Sequence, residues 1–106
     1  MQPGRRWSVA DDLGNSIYLT DERWEHIVEG HPEMAGHEDE LRETLRHGER
    51  RQDSLNPQKF RYRRAFRELA DDNTHLEAVV LFRFSEEEGR LVANNYVATA
   101  YLKALG

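Results

Sequence analysis

Cysteine is absent from this 106-residue chain, and lysine occurs only twice, as Lys59 and Lys103. Without cysteine the protein can form no disulfide, no thiolate zinc site and no cysteine nucleophile. The lack of cysteine also fits a reducing compartment. No stretch approaches the roughly 20 apolar residues of a membrane span, and no apolar run follows the basic pair near the amino terminus. We therefore expect a soluble cytoplasmic protein without a membrane segment or a secretory signal.

Two patterns that would indicate a cofactor are also missing from the sequence. No glycine-rich loop is present to bind the phosphates of a nucleotide. Four histidines could be arranged as zinc ligands together with Glu25 or Glu29, and these are His26, His31, His37 and His47. Because their spacing does not match the H-E-x-x-H pattern, we expect no metal site and no cofactor.

The net charge of −5 conceals a basic middle third. Residues 1–41 carry 3 basic and 10 acidic side chains (−7), residues 42–67 carry 9 and 3 (+6), and residues 68–106 carry 3 and 7 (−4). Binding of a polyanion depends on the local field and not on the total charge, so the middle third is a candidate surface. On charge alone, a solvated basic face offset by neighbouring carboxylates is the favoured interpretation.

The length is that of a single domain. Its hydrophobic pattern predicts a β-hairpin at 1–19, two helices at 20–48 and an antiparallel sheet at 49–106. Thr20 is a typical N-cap for a helix over Asp21–Gly30, which Pro32 ends. A second helix is predicted over Glu38–His47.

The second half of the chain predicts strands at 60–67, 76–84 and 96–102, with a turn at Asn56 and Pro57. A bulge is predicted at Asn94 and Asn95, because asparagine is disfavoured in strands. Helices followed by strands favour an α+β fold, with two N-terminal helices packed on one face of an antiparallel four-stranded sheet and an N-terminal β-hairpin. The residues expected in the core include Trp24, Ile27, Val28, Leu41, Leu45, Val80, Phe82 and Ala98.

Alternation along the strands predicts which side chains face the core. The expected core-facing set is Phe60, Tyr62, Phe66, Tyr96, Ala98, Ala100 and Leu102. The opposite face would then collect Arg61, Arg63, Arg67, Val97, Thr99 and Tyr101, while Arg64 falls with the phenylalanines and requires a bulge or an edge position. Guanidinium and hydroxyl groups together are typical of an anion site, although an ordinary solvent-facing sheet has the same spacing.

The ordered segments LTDERWEHIVEGHPEM, LRETLRHGERR, FRYRRAF, VVLFRF and VATAYL carry a family likeness. Over residues 19–102 the chain resembles the small bacterial and phage domains of the Barnase–EndoU–colicin–RelE nuclease fold. The most telling parts are the His-Pro pair after the first helix and the closing Thr-x-Tyr strand. The resemblance implies a metal-independent endoribonuclease in which the RNA's own 2′-hydroxyl attacks, giving a 2′,3′-cyclic phosphate.

The resemblance also implies roles for individual residues. The catalytic residues would be His31, Arg61, Thr99 and Tyr101. The substrate-binding residues would be Arg63, Arg67 and His26, and the choice between Arg61 and Arg63 as the acting cation stays open. If the site is real, His31, Thr99, Tyr101 and at least one of these arginines should surround a single phosphate-sized cleft within roughly 10 Å. His26 should lie outside that cleft or at its rim. The alternative for His31 is a structural ring packed beside Trp24.

RelE-like domains are commonly toxins, so the resemblance implies RNA as the substrate and an antitoxin or inhibitor protein as a partner. The competing hypothesis is a catalytically inactive module of the same fold that binds RNA or protein through the strand with alternating arginines. A third hypothesis, a small anionic ligand on the open face, ranks last because no phosphate-binding loop supports it.

Overall fold

The fold is described from a computed structural model, in which residues 4–105 are described. The elements of the first half are β1 (Arg5–Ala10), β2 (Ser16–Thr20), α1 (Asp21–Gly30), a 3₁₀ turn (Pro32–Gly36), α2 (Glu38–His47) and β3 (Glu49–Gln52). The second half contains β4 (Lys59–Ala65), a 3₁₀ turn (Ala70–Asp72), β5 (His75–Leu81), β6 (Phe84–Glu87), β7 (Arg90–Ala93) and β8 (Asn95–Lys103).

Both helices have the predicted bounds, because local signals define their ends. The Thr20 hydroxyl accepts a hydrogen bond from the backbone N–H of Arg23 at 3.0 Å, as an N-cap does. At the other end of α1, the N–H of His31 donates to the carbonyl of Ile27 at 2.7 Å. The 3₁₀ turn then begins with Pro32, which cannot continue the helix.

The α+β class is confirmed, but the predicted four-stranded antiparallel sheet is wrong. The main sheet has six strands in the order β1-β2-β8-β5-β4-β3, and it is mixed because β2 runs parallel to β8. The N-terminal hairpin joins the sheet through this parallel pairing, and β3 adds a strand just after α2. A Cβ on Gly48 would lie 2.4 Å from the Thr44 carbonyl oxygen and 2.9 Å from that of Arg63, so only glycine fits between α2 and β4.

The two helices contact different strands of the sheet, so their packing differs in detail from the prediction, although both bury side chains in one core. Helix α2 contacts β4, β5 and β1, whereas α1 contacts β8 and β2, and the 3₁₀ turn after α1 also contacts β8. Strand β2 pairs with β8 only through Ile17 and Tyr18, so α1 lies beside the rest of β8. The end of α1 thereby lies beside β8, next to Tyr101.

The end of the sheet differs from the prediction in the position of a bulge. Val79 pairs with Thr99 while Val80 pairs with Val97, so the extra residue is Ala98 and not an asparagine. Asn94 instead separates β8 from the two-stranded β6–β7 hairpin. A one-residue shift exchanges the faces of a strand, so Val97 is buried in the core. The prediction that Tyr96 and Ala98 are core residues is therefore wrong.

The core lies between α2, α1 and the inner face of the sheet. Five of the eight expected core residues are buried, namely Trp24, Ile27, Leu41, Leu45 and Val80. Val28 and Phe82 are half-buried and pack against this cluster, whereas Ala98 is displaced by the bulge. Arg64 requires no bulge in β4, because it lies near the strand end with its guanidinium 5.0 Å from the Phe66 ring centroid. Over residues 4–105, neither helix has the length and apolar character needed to cross a membrane.

Candidate active site

The face of the sheet opposite α2, here called the open face, is organised in rows of cross-strand neighbours. The register defines a Glu77 row (Glu49, Arg63, Glu77, Tyr101), a Thr99 row (Arg51, Arg61, Val79, Thr99) and a Tyr96 row (Lys59, Leu81, Tyr96, Tyr18). Beyond the Glu77 row lie Ala65, His75 and Lys103. Neighbours within a row are on strands about 4.8 Å apart, and successive rows are about 6.7 Å apart.

A buried carboxylate, Glu77, lies at the centre of this face with only 2% of its surface exposed. Arg61 Nε and Arg63 NH2 are each 3.7 Å from its oxygens, and Lys103 Nζ is 3.1 Å from Oε2. The lysine contact does not have hydrogen-bond geometry, and Oε2 has no hydrogen-bond partner among the described residues. Burial of the Glu77 carboxylate is tolerated because three cations neutralise it. One of its oxygens nevertheless accepts no hydrogen bond from the described residues.

Arg61 is held by a second carboxylate, from the loop between β3 and β4. Its NH1 donates to Asp53 Oδ1 at 2.7 Å, and Asp53 Oδ2 accepts from the backbone N–H groups of Leu55 and Asn56. The hydrogen bond from Arg61, followed by those from the backbone, lowers the pKa of Asp53, and the same bond raises the pKa of Arg61. The loop therefore positions the Arg61 side chain at the edge of the open face.

His31 reaches the open face from the end of α1. Its ring centroid lies 5.6 Å from that of Tyr101, with the two planes tilted by 33°. Nδ1 of His31 is 3.7 Å from the carboxylate of Glu33. Since Tyr101 and Glu77 are direct cross-strand neighbours, the tyrosine stands between the histidine and the buried carboxylate. His31 therefore packs against Tyr101 on the side of the sheet that carries the arginines.

A cleft of about 240 Å³ opens beside Glu77. It is lined by Glu49, Arg51, Gln52, Asp53, Ser54, Arg61, Arg63 and Glu77. Both candidate arginines line it, whereas His31, Thr99 and Tyr101 lie outside its walls, on the other side of Glu77. Tyr101 and Arg63 are separated by one strand, about 10 Å between backbones. His31, Thr99 and Tyr101 thus share a face with the two arginines, but they border the cleft from one side and do not enclose it.

The two remaining predicted substrate contacts lie apart from this cleft. Arg67 follows the end of β4 and is exposed, so it is not part of the rows. His26 is exposed on α1, with Nε2 3.8 Å from the carboxylate of Glu22. Neither side chain lines the cleft.

Glu77 is the residue that sequence reasoning missed. Its strand, HLEAVVL, is a nearly continuous apolar run, and this pattern predicts no role for the single acidic residue within it. Strict alternation places Glu77 on the same face as Val79, directly opposite Arg63. A lone carboxylate in a central strand, facing a strand of alternating arginines, is the signal that could have identified it.

The four histidines considered as zinc ligands do not come together in residues 4–105. Each of these four has its own acidic neighbour: Glu22 for His26, Glu33 for His31, Glu40 for His37 and Asp12 for His47. Within the described part of the chain, no group of three or more potential ligands among histidine, aspartate and glutamate could hold an ion.

Comparisons with models of known protein families, with curated proteins and with solved structures find no match to this chain.

Proposed function

We propose that the protein is a metal-independent endoribonuclease whose site is the open face around Glu77. The observation that carries the proposal is the convergence of Arg61, Arg63 and Lys103 on one buried carboxylate, one strand away from the Tyr101–His31 pair. Cleavage through the 2′-hydroxyl needs a base for that hydroxyl, cations for the charge on the phosphorane and an acid for the leaving oxygen. The open face supplies candidates for all three.

The cations would bind the phosphate. Two guanidinium groups can fork around phosphate oxygens, and Lys103 adds a third positive charge on the other side of Glu77. Thr99 lies in the next row, beside Val79, where its hydroxyl can donate to a phosphate oxygen. These groups would be in place before the charge develops, which is the arrangement that stabilises a transition state most effectively.

Glu77 and His31 would transfer the protons. Glu77, which lines the cleft, accepts the proton of the 2′-hydroxyl through its carboxylate as the 2′-oxygen bonds to phosphorus. The bond from phosphorus to the 5′-oxygen then breaks, and protonated His31 gives its proton to that oxygen. Tyr101 separates the two groups and orients the histidine ring. The products are a 2′,3′-cyclic phosphate and a free 5′-hydroxyl.

The test is cleavage of a single-stranded RNA with a chelator present, with products resolved by their end groups. We expect a cyclic phosphate end, no cleavage of the matching DNA, and a loss of about 10²–10⁴-fold in rate for His31→Ala. Imidazole added to that variant should restore part of the rate, which a purely structural histidine would not allow. His47→Ala is the matched control, since that side chain contacts Asp12 away from the rows.

One observation favours an inactive RNA-binding module of the same fold. Arg61 is already paired with Asp53 at 2.7 Å as well as with Glu77, so less of its charge is available to stabilise the additional charge that develops on a phosphorane. Binding of RNA without cleavage, unchanged in His31→Ala, would support the module over the enzyme.

The resemblance to toxin-like nucleases also makes a partner protein part of the proposal. A ribonuclease that stops growth must be held inactive in the cell, and an acidic inhibitor that covers the open face would complement its cations. Expression in bacteria should arrest growth, and His31→Ala and Tyr101→Phe should each relieve that arrest. Growth unaffected by the wild-type protein would argue against a toxin.

A further inference from the structure

We propose that the Tyr96 row is a base-stacking platform, which selects single-stranded RNA and binds the base of a nucleotide adjoining the cleaved phosphate. The inference rests on the proposed function and extends it from the phosphate to the base. It begins from the division of the open face into a charged part, formed by the Glu77 row, and an aromatic part, formed by Tyr96 and Tyr18.

The aromatic part exists because of the bulge at Ala98. Without the extra residue, Tyr96 would share the inner face with Ala100, and the bulge turns it to the open face instead. There its ring centroid lies 6.1 Å from that of Tyr18, its neighbour in β2. A bulge that re-aims one side chain beside a candidate active site is a feature typical of functional strands.

The neighbouring contacts fix the orientation of Tyr18. Its hydroxyl donates to Asn94 Oδ1 at 2.8 Å, and the guanidinium of Arg5 lies 3.8 Å from its ring centroid. Arginine planes and tyrosine rings both stack on nucleic-acid bases. Leu81 continues the row on the other side of Tyr96, so the platform presents an apolar surface flanked by a cation.

The position of the platform suits a nucleotide bound through its phosphate. The Thr99 row, which contains Arg61, lies between the Tyr96 row and the Glu77 row, at about 6.7 Å per step. A phosphate bound by Arg61 therefore has Tyr96 one row and two strands away, about 12 Å between backbones. The base can reach that row only if it is not paired, because a paired base does not offer its faces to a protein.

The charge of the open face matches the same ligand. The three rows and Lys103 beside them contain five cations, namely Arg51, Lys59, Arg61, Arg63 and Lys103, against three carboxylates, Glu49, Glu77 and Asp53 of the adjoining loop. This local excess of positive charge occurs in a chain whose net charge is −5. A polyanion with exposed aromatic bases complements both the charged and the aromatic parts of the face.

The experiment measures binding of a dye-labelled single-stranded DNA hexamer, which lacks the 2′-hydroxyl and so is not cleaved by the proposed reaction. A hexamer of the same length with abasic sugars is the second probe. We expect Tyr96→Ala to weaken binding of the normal hexamer by about 5- to 150-fold and to leave the abasic probe unchanged. Tyr96→Phe, which keeps the ring, should bind both probes within about twofold of wild type.

Two controls separate stacking from other causes. Tyr96→Leu keeps an apolar side chain without an aromatic face, so it should lose binding as Tyr96→Ala does even if the alanine variant is poorly folded. Leu13→Ala removes an exposed apolar side chain in the β1–β2 turn and should bind as wild type. The salt dependence should be the same in all variants, because Tyr96 contacts no phosphate.

The outcomes distinguish this inference from the proposed function. If wild type cleaves RNA and Tyr96→Ala binds both hexamers as wild type does, the platform is refuted while the enzyme stands. An equal loss of affinity for both probes would also overturn it, because stacking requires a base. If base-dependent binding depends on Tyr96 but no RNA is cleaved under any condition, the proposed catalysis fails and the platform remains.

Discussion

Two buried carboxylates of this protein, Asp11 and Glu77, are neutralised in different ways. Asp11 lies in the β1–β2 turn and accepts four hydrogen bonds: from the N–H groups of Leu13 and Asn15, the Asn15 amide, and the Tyr62 hydroxyl at 2.6 Å. Glu77 is surrounded by three cations at 3.1–3.7 Å, and one of its oxygens accepts no hydrogen bond among residues 4–105. Hydrogen bonds from the protein therefore satisfy the Asp11 carboxylate, but they do not satisfy the Glu77 carboxylate.

This difference separates a structural group from a candidate catalytic one. Burial alone would raise the pKa of Asp11, but the hydrogen bonds from Tyr62 and Asn15 outweigh burial and lower it. Removing a partner from such a group leaves a buried polar atom unsatisfied, which costs stability. Glu77 lines the cleft and is not saturated by hydrogen bonds, so we expect its replacement to affect chemistry as well as folding.

The largest expected effect tests Glu77 as the proton acceptor. We expect Glu77→Gln to lower kcat for RNA cleavage by about 10²–10⁴-fold with a smaller change in KM, because the amide cannot take the proton. Asp11→Asn should leave kcat within about twofold of wild type. Steady-state kinetics on a defined RNA measures both, and equal losses in the two variants would remove the distinction between the carboxylates.

The next effect concerns the stability that Asp11 provides. Tyr62→Phe removes the hydroxyl that bonds to Asp11, and we expect the free energy of unfolding to fall by about 1.5–3 kcal/mol, since the acceptor is charged. Urea denaturation monitored by tryptophan fluorescence gives this value. The double variant Tyr62→Phe, Asp11→Asn should lose less than the sum of the two single losses, and strict additivity would contradict a direct interaction.

The same hydrogen bond predicts how stability depends on pH. The pKa of Asp11 is lower in the folded protein than its ordinary value of 3.8, so its contribution is present above that pH and is lost as the pH falls through the folded value. Burial and the bond to Asp11 raise the pKa of Tyr62 above 10, so its contribution is lost at high pH instead. Urea midpoints should fall more steeply below pH 4 in wild type than in Asp11→Asn, and parallel curves would count against this assignment.

The smallest effect concerns Asp53, the half-buried carboxylate that holds Arg61. Asp53→Asn weakens that ion pair and leaves more of the Arg61 charge for a ligand, so we expect inorganic phosphate to bind about two- to fivefold more tightly. Isothermal titration at low ionic strength measures the change. Glu49→Gln, at the far end of the Glu77 row, is the matched control, and weaker binding in Asp53→Asn would indicate that the loop must order Arg61 for it to act.

Local sequence signals predicted the two helices and most of the strands. Thr20, Pro32 and the apolar stripe of α1 act within a few residues of one another, so the helix bounds follow from the sequence alone. The parallel pairing of β2 with β8 depends on residues far apart in the chain, which no local pattern encodes. The same is true of β3, whose four residues, ERRQ, have no strand-like hydrophobic alternation.

The site was predictable to a similar extent. Alternation placed Arg61, Arg63, Thr99 and Tyr101 on one face, and the His-Pro break after α1 put His31 beside Tyr101. The bulge at Ala98 was not foreseen, because alanine gives no bulge signal and the asparagines nearby gave a misleading one. A carboxylate such as Glu77 becomes noticeable only when the register shows which cations surround it.

The position of β8 in the sheet has a consequence for synthesis of the protein on the ribosome. This strand is the last of the eight in sequence, yet it pairs with both β2 and β5 in the middle of the sheet. The hydrogen bond from Tyr18 to Asn94 alone joins residues 76 apart. A nascent chain that has not yet emerged beyond Asn94 therefore lacks Thr99, Tyr101 and Lys103 and leaves its two sheet halves unjoined. Assembly of the core and of the candidate site must both wait for the same nine residues, which ties the onset of any activity to completion of the fold.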